Sequence, residues 1–286
     1  MKIVRFRNPR NDNIYLGRLE QDRCLATGLF GENLPDAMVD MINQLQQFIS
    51  NAPVMESFAQ DQVVLLPPVD RPQKIICVGQ NYADHAREMG SKVPEQPVIF
   101  NKFPTALAGP DSSIRLPAIS ASVDYEAELV VVIGRRCKHV SVDQAMQHVL
   151  GYCCGHDVSA RDWQKGRPGG QWLLGKTFDE FAPIGPWLVL ADDIDPNCLE
   201  ISLQLNGQTM QQSNTENLIF KIDFLISHLS KFCTLLPGDL LFTGTPAGVG
   251  AGRTPPVFLQ AGDETIVEIE GLGQLRNTFI ADADAS

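Results

Sequence analysis

The sequence predicts an α+β protein, and three observations carry that prediction. Apolar runs of strand length outnumber segments with helical spacing. Three prolines fall together in VVLLPPVDRPQK (63–74) and divide a short leading part from a long, strand-rich one. Helical segments are too few to alternate with the strands, so a doubly wound sheet is not expected.

In chain order, MKIVRFRNPRNDNIYLG (1–17) reads as a β-hairpin, with turn signals at Asn8–Pro9 and Asn11–Asp12. Leu34, Met38, Met41, Ile42, Leu45 and Ile49 have helical spacing, and Pro53 ends that helix. Strands are expected at KIICVG (74–79), AELVVVIG (127–134) and FAPIGPWLVL (181–190). Three more are expected at LEISLQLNG (199–207), DLLFTG (239–244) and DETIVEIEGLG (263–273). Ser141 and Gln144 have capping-box spacing and open a helix with Ala145, Met146, Val149 and Leu150 on one face. Another helix carries Ile222, Leu225, Ile226, Leu229 and Phe232, and ends before Pro237–Gly238.

The 286 residues hold 34 acidic and 23 basic side chains, a net charge of −11. That balance argues against nucleic acid and against anionic membranes, which are bound through basic patches. No apolar run approaches the roughly 20 residues that cross a bilayer. The early positive charges are not followed by the apolar segment of a signal peptide. A cytoplasmic location is expected, or the mitochondrial matrix if a presequence has been removed. Seven cysteines show no metal-like spacing and read as reduced, mostly buried thiols, with Cys153–Cys154 in a strand core.

The chemistry starts at DYEAELVVVIG (124–134). Glu126 and Glu128 are two apart on a strand, so they share a face with Val130 and Val132. Tyr125, Ala127, Leu129, Val131 and Ile133 take the other face. Two readings fit the paired acids: a solvated strand end, or a cation that cancels their repulsion. In GYCCGHDVSARDWQ (151–164), Asp157 adds a third carboxylate beside a core segment. Three oxygen donors suit a hard cation such as Mg²⁺, Mn²⁺ or Ca²⁺. His156 alternates to the opposite face and reads as structural, while Asp162 could pair with Arg161.

In VGQNYADHAREMG (78–90), His85 and Glu88 sit i, i+3 on a short helix. They form either a minimal general-base pair or a surface contact. Lys176 is placed to stabilise an oxyanion or simply to meet solvent. LFTGTPAGVGAGR (241–253) is glycine-rich but lacks the lysine of a phosphate-binding loop. Its amides and Thr245 could hold a carboxylate, or the loop could be a plain tight turn.

Together these stretches resemble the fumarylacetoacetate hydrolase superfamily over residues 72–281. NYADH, DYEAELVVVIG, GHDVSARDWQ, QWLLGKTFD, NGQTMQQSNT and PGDLLFTGTPAGVG come in the family's order. The resemblance implies a mixed β-roll catalytic domain (71–286) behind a small N-terminal α/β domain (1–70), and a homodimer. It implies Mg²⁺ or Mn²⁺ on Glu126, Glu128 and Asp157, chelated by a small 2-oxo acid substrate. It gives catalytic roles to His85, Glu88 and Lys176, and substrate binding to Arg161, Gln171 and Thr245. The chemistry implied passes through an enolate, with oxaloacetate keto–enol tautomerisation as the expected outcome. Cleavage of an acylpyruvate or other 2,4-diketo acid, and oxaloacetate decarboxylation, share that enolate. An inactive metal-binding homologue is the non-enzymatic alternative. The spacing of His85 and Glu88 is that of the smaller acylpyruvase-like members, which argues against cleavage of fumarylacetoacetate itself.

Overall fold

The computed structural model describes residues 1–30, 51 and 53–282. The chain begins with β1 (Lys2–Arg7), β2 (Ile14–Glu20), β3 (Arg23–Phe30), β4 (Glu56–Ala59) and β5 (Val64–Leu66). Then come β6 (Ile75–Gly79), β7 (Val98–Lys102), β8 (Leu107–Ala108), β9 (Ser113–Leu116) and β10 (Val123–Asp124). β11 (Ala127–Ile133), β12 (Val149–His156), β13 (Ser159–Ala160) and β14 (Ala182–Leu190) form the middle of the chain. β15 (Glu200–Leu205), β16 (Gln208–Asn214), β17 (Leu240–Phe242), β18 (Glu264–Ile269) and β19 (Gly273–Ala281) complete the strands. The α-helices are α1 (Ala83–Glu88), α2 (Val142–Ala145), α3 (Arg161–Gln164), α4 (Trp172–Lys176) and α5 (Ile222–Phe232). Strands therefore dominate around a few helices, as the sequence predicts.

The largest sheet runs β4-β3-β2-β1-β14-β12-β11-β17-β6-β7, with β5 on β1 and β8 on β14. β16-β15-β18-β19-β9 form a second sheet, and β10 pairs with β13. The N-terminal hairpin joins the large sheet through β1, where Lys2 lies opposite Val189 of β14. Only 1.5–3 kcal/mol or so comes from burying one large apolar side chain, so β11 matters because all seven of its residues are buried. One of its faces sends Leu129, Val131 and Ile133 into a core shared with Leu225, Leu203 and Val267. The other sends Val130 and Val132 against Cys77, Leu240 and Phe242. A strand covered on both sides reads as a continuous apolar run, which is why this one stands out in the sequence.

Three expectations need correction, and one lies out of view. Val149 and Leu150 belong to β12, not to the helix opened by Ser141. Val149 pairs with Ile133, and that ladder outweighs helix continuation after Ala145. The Ser141 hydroxyl donates to the Gln144 side chain at 3.1 Å, so it does not cap a backbone N–H. In α5, Ile222, Leu225, Ile226 and Leu229 are buried, but Phe232 is 74% exposed. Four-residue steps align Phe232 with Phe224 and His228 on the outer side, where His228 stacks on Phe224 and meets Phe232 at a tilt. The helix expected over 33–50 lies outside the described residues.

Candidate active site

β10 and β13 bring two distant motifs together, with Asp124 opposite Ser159. Next to that pairing, the Asp157 amide donates to the Glu126 carbonyl at 2.9 Å. Glu126, Glu128 and Asp157 each offer an oxygen within 4.8 Å of the other two, and all three are buried. The surrounding cations are buried too. Arg161 donates to Glu126 at 2.6 Å and to Asp124 at 2.8 Å. Lys176 Nζ donates to Glu126 at 2.6 Å and to Asp157 Oδ2 at 2.7 Å.

Lys102 is a further cation that sequence reasoning missed. Its Nζ donates to the carbonyls of Val158, Lys176 and Phe181. It also lies 2.6 Å from Asp157 Oδ1. That pair is an ion pair; with three donors directed at carbonyls, Oδ1 is left without a well-aligned donor among the described residues. The lysine closes a strand, where it would normally reach solvent. The carbonyls that hold it lie 56 to 79 residues away in the chain.

Four carboxylates (Asp124, Glu126, Glu128, Asp157) thus share three cations (Lys102, Arg161, Lys176), and the shortfall falls on Glu128. Burial first, then Asp157 and Glu126, push its carboxyl well above the usual range. Glu126 goes the other way: burial opposes ionisation, but Arg161 and Lys176 outweigh it and hold the carboxyl low. Burial also works against the Lys176 ammonium, yet Asp157 and Glu126 raise its pKa above the ordinary value.

These residues fit a hard divalent cation. The donors are all carboxylate oxygens, and among the described residues Asp157 Oδ1 has no aligned hydrogen-bond donor and Glu128 has no ion-pair partner of its own. A positive charge there would remove the repulsion that raises Glu128.

The glycine-rich loop does hold carboxylates, and they are the protein's own. Gly244 N donates to Glu128 at 2.7 Å, with φ +105 that favours glycine. Gly248 N donates to both oxygens of Glu88 at 2.9 and 3.1 Å. Gly250 and Ala251 donate to Asp124. Glu88 is thereby fixed beside His85, whose Nδ1 lies 3.4 Å from Glu88 Oε2. His85 is only 5% exposed, so the pair is not a surface contact.

One cavity is lined by His85, Glu126, Glu128, Arg161, Lys176 and Thr245, which places six of the expected site residues on a single space. Asp157 lies behind it, bonded to Lys176. Thr245 accepts from Gln211, whose own oxygen accepts from the Ala127 amide. Gln171 is not brought in: it is exposed, and its amide donates to the Pro168 carbonyl. Gln164 lines the cavity instead, bonded to Arg161 at 2.9 Å. Its place one helical turn from Arg161 was the available signal. Asp162 does not pair with Arg161; it accepts from Ser120 and the Ala121 amide. His156 stays outside the cavity, packed edge-on against Phe279 with Thr265 3.4 Å away.

Fold and cavity together define an enzyme of mixed α/β architecture whose polar groups converge on one buried acidic cluster. The family model for the fumarylacetoacetate (FAA) hydrolase C-terminal domain matches residues 74–280, and the chain belongs to that family. It is 47% identical over 289 residues to the mitochondrial oxaloacetate tautomerase FAHD2A of Bos taurus, covering 98% of this chain and 92% of that one. Among solved structures, a fumarylacetoacetate hydrolase from Exiguobacterium antarcticum superposes with TM-score 0.85 at 34% identity, covering 99% of this chain and 100% of that one. A 5-carboxymethyl-2-hydroxymuconate delta-isomerase from Mycobacterium smegmatis gives TM-score 0.80 at 36% identity over the same shares. No helix among the described residues is long and apolar enough to cross a membrane.

Proposed function

We propose that the chain is an oxaloacetate keto–enol tautomerase that uses Mg²⁺ or Mn²⁺ on Glu126, Glu128 and Asp157. One observation carries the reading: His85, Lys176, Glu126 and Glu128 line a single cavity, with Asp157 behind them. The name of the bovine relative supports the choice of substrate. A divalent cation bound there supplies Lewis-acid polarisation of a 2-oxo group.

The chain's own residues do the rest. His85 exchanges a proton with carbon 3, so that a proton added at carbon is balanced by one lost from the 2-hydroxyl. Glu88, fixed by Gly248, orients the imidazole. Lys176 keeps its charge through Asp157 and Glu126 and stabilises negative charge at the 2-oxygen. Arg161, steered by Asp124, and Thr245 bind the substrate, with Gln164 rather than Gln171 beside them. A homodimer in the cytoplasm or the mitochondrial matrix completes the proposal.

The test follows three reactions in parallel with Mg²⁺ or Mn²⁺ present: ketonisation of enol-oxaloacetate, decarboxylation of oxaloacetate and cleavage of acetylpyruvate. Ketonisation should be the fastest and should collapse in Glu126→Ala. Equal ketonisation by wild type and Glu126→Ala would refute the tautomerase, and faster acetylpyruvate cleavage would make it a hydrolase.

A further inference from the structure

The cavity contains a cation that the chemistry above leaves unused. Arg161 is held by Asp124, Glu126 and Gln164, and Lys176 by Glu126 and Asp157. Lys102 is buried behind Asp157 and three carbonyls. Lys165 also lines the cavity, and its ammonium has no ion pair or hydrogen bond to any described residue.

Lys165 stands at the end of α3, four residues after Arg161, and its amide donates to the Arg161 carbonyl at 3.0 Å. Residues four apart lie on one side of a helix. Lys165 therefore stands one turn further along the cavity wall than the arginine that grips Glu126. The carboxylates at the two ends of a four-carbon diacid are separated by roughly the length of one helical turn. The rest of the lining includes Val78, Met89, Phe100 and Trp172, none of which carries a charge to pair with an anion.

Resting on the tautomerase reading, we propose that Lys165 selects dicarboxylate substrates by pairing with the carboxylate distal to the 2-oxo acid end. Burial, then repulsion from Arg161, lowers the Lys165 pKa, and an anion at this point would relieve that repulsion. Lys165 lines the cavity and is still partly open to solvent, so it can meet an anion as it enters.

The experiment compares enol-oxaloacetate with its 4-monomethyl ester, which undergoes the same proton transfer without the distal charge. Lys165→Met should raise KM for oxaloacetate at least tenfold with a much smaller change in kcat. It should shift KM for the ester far less, and Lys165→Arg should restore most of the loss. Equal shifts for acid and ester, or none for either, would overturn the proposal. Calorimetric binding of malate and its 4-monomethyl ester to the Mn²⁺-loaded protein separates this claim from the reaction itself. Malate binding at least tenfold weaker in Lys165→Met, with ester binding unchanged, supports the charge contact even if wild type does not ketonise. Malate binding unchanged in Lys165→Met overturns it even if wild type does.

Discussion

At the scale of single residues, the site is governed by which charges have partners. Lys102 offsets Asp157 and satisfies three carbonyls at once, so removing it leaves several buried polar groups unpaired. Lys102→Met should destabilise the fold by about 3–5 kcal/mol in urea unfolding, the usual cost of breaking a buried pair. A loss under about 1 kcal/mol would mean that water replaces the ammonium. His156 gives a pH dependence of definite sign. Burial, helped by Lys102, lowers its pKa from 6.5 to about 3. The unfolded chain binds this proton below about pH 6.5 and the folded one does not until about pH 3. Stability contributed by neutral His156 is thus lost as pH falls through that window, by about 1.4 kcal/mol per pH unit. His156→Gln should lose less stability than wild type between pH 6.5 and 4.5. Parallel stability curves would show that His156 takes up its proton in the folded state.

At the scale of elements, the site depends on how closely α3 and α4 pack. A Cβ on Gly175 would meet Gln164 N at 2.6 Å, Gln164 Cα at 2.7 Å and Ala160 O at 2.8 Å, all of them backbone atoms. Gly175→Ala should push α4 outward and draw Lys176 away from Glu126 and Asp157. Activity should fall at least tenfold while the circular dichroism spectrum is kept; full activity would show that α4 can shift without cost. This contact is not legible in the sequence, because nothing in WLLGK announces a neighbour eleven residues back. β11 was legible, since both of its faces are apolar and Glu126 and Glu128 stand two apart at its start. β7, β9 and β16 were not: β7 turns an apolar residue, Ile99, to its exposed side, β9 is only 4 residues long, and β16 (QTMQQSN) is almost wholly polar. The break between Ala145 and Val149 escaped for a related reason. The apolar spacing there fits a helix and a buried strand equally well, and pairing with Ile133 decides between them.

At the scale of the molecule, local motifs supplied the parts of the site and long-range pairing assembled them. The acidic triad, the His85–Glu88 spacing and Lys176 could be read from short stretches. The captures of Asp124 by Gly250 and of Glu88 by Gly248 could not, because they join residues 126 and 160 positions apart. With Glu128 pushed up by burial and by its acidic neighbours, binding a divalent cation should release protons and stabilise the fold. Adding Mn²⁺ should raise Tm by several degrees, and Glu128→Gln should remove most of that rise. An unchanged Tm would argue against a cation at this cluster.

The central claim is that His85 moves the proton while the carboxylates hold the cation. Ketonisation of enol-oxaloacetate by wild type and His85→Ala, both shown by calorimetry to bind Mn²⁺ equally, tests it most directly. The account predicts a loss of about 10²-fold or more in His85→Ala, the usual worth of a general acid–base group. Turnover equal to wild type would contradict it.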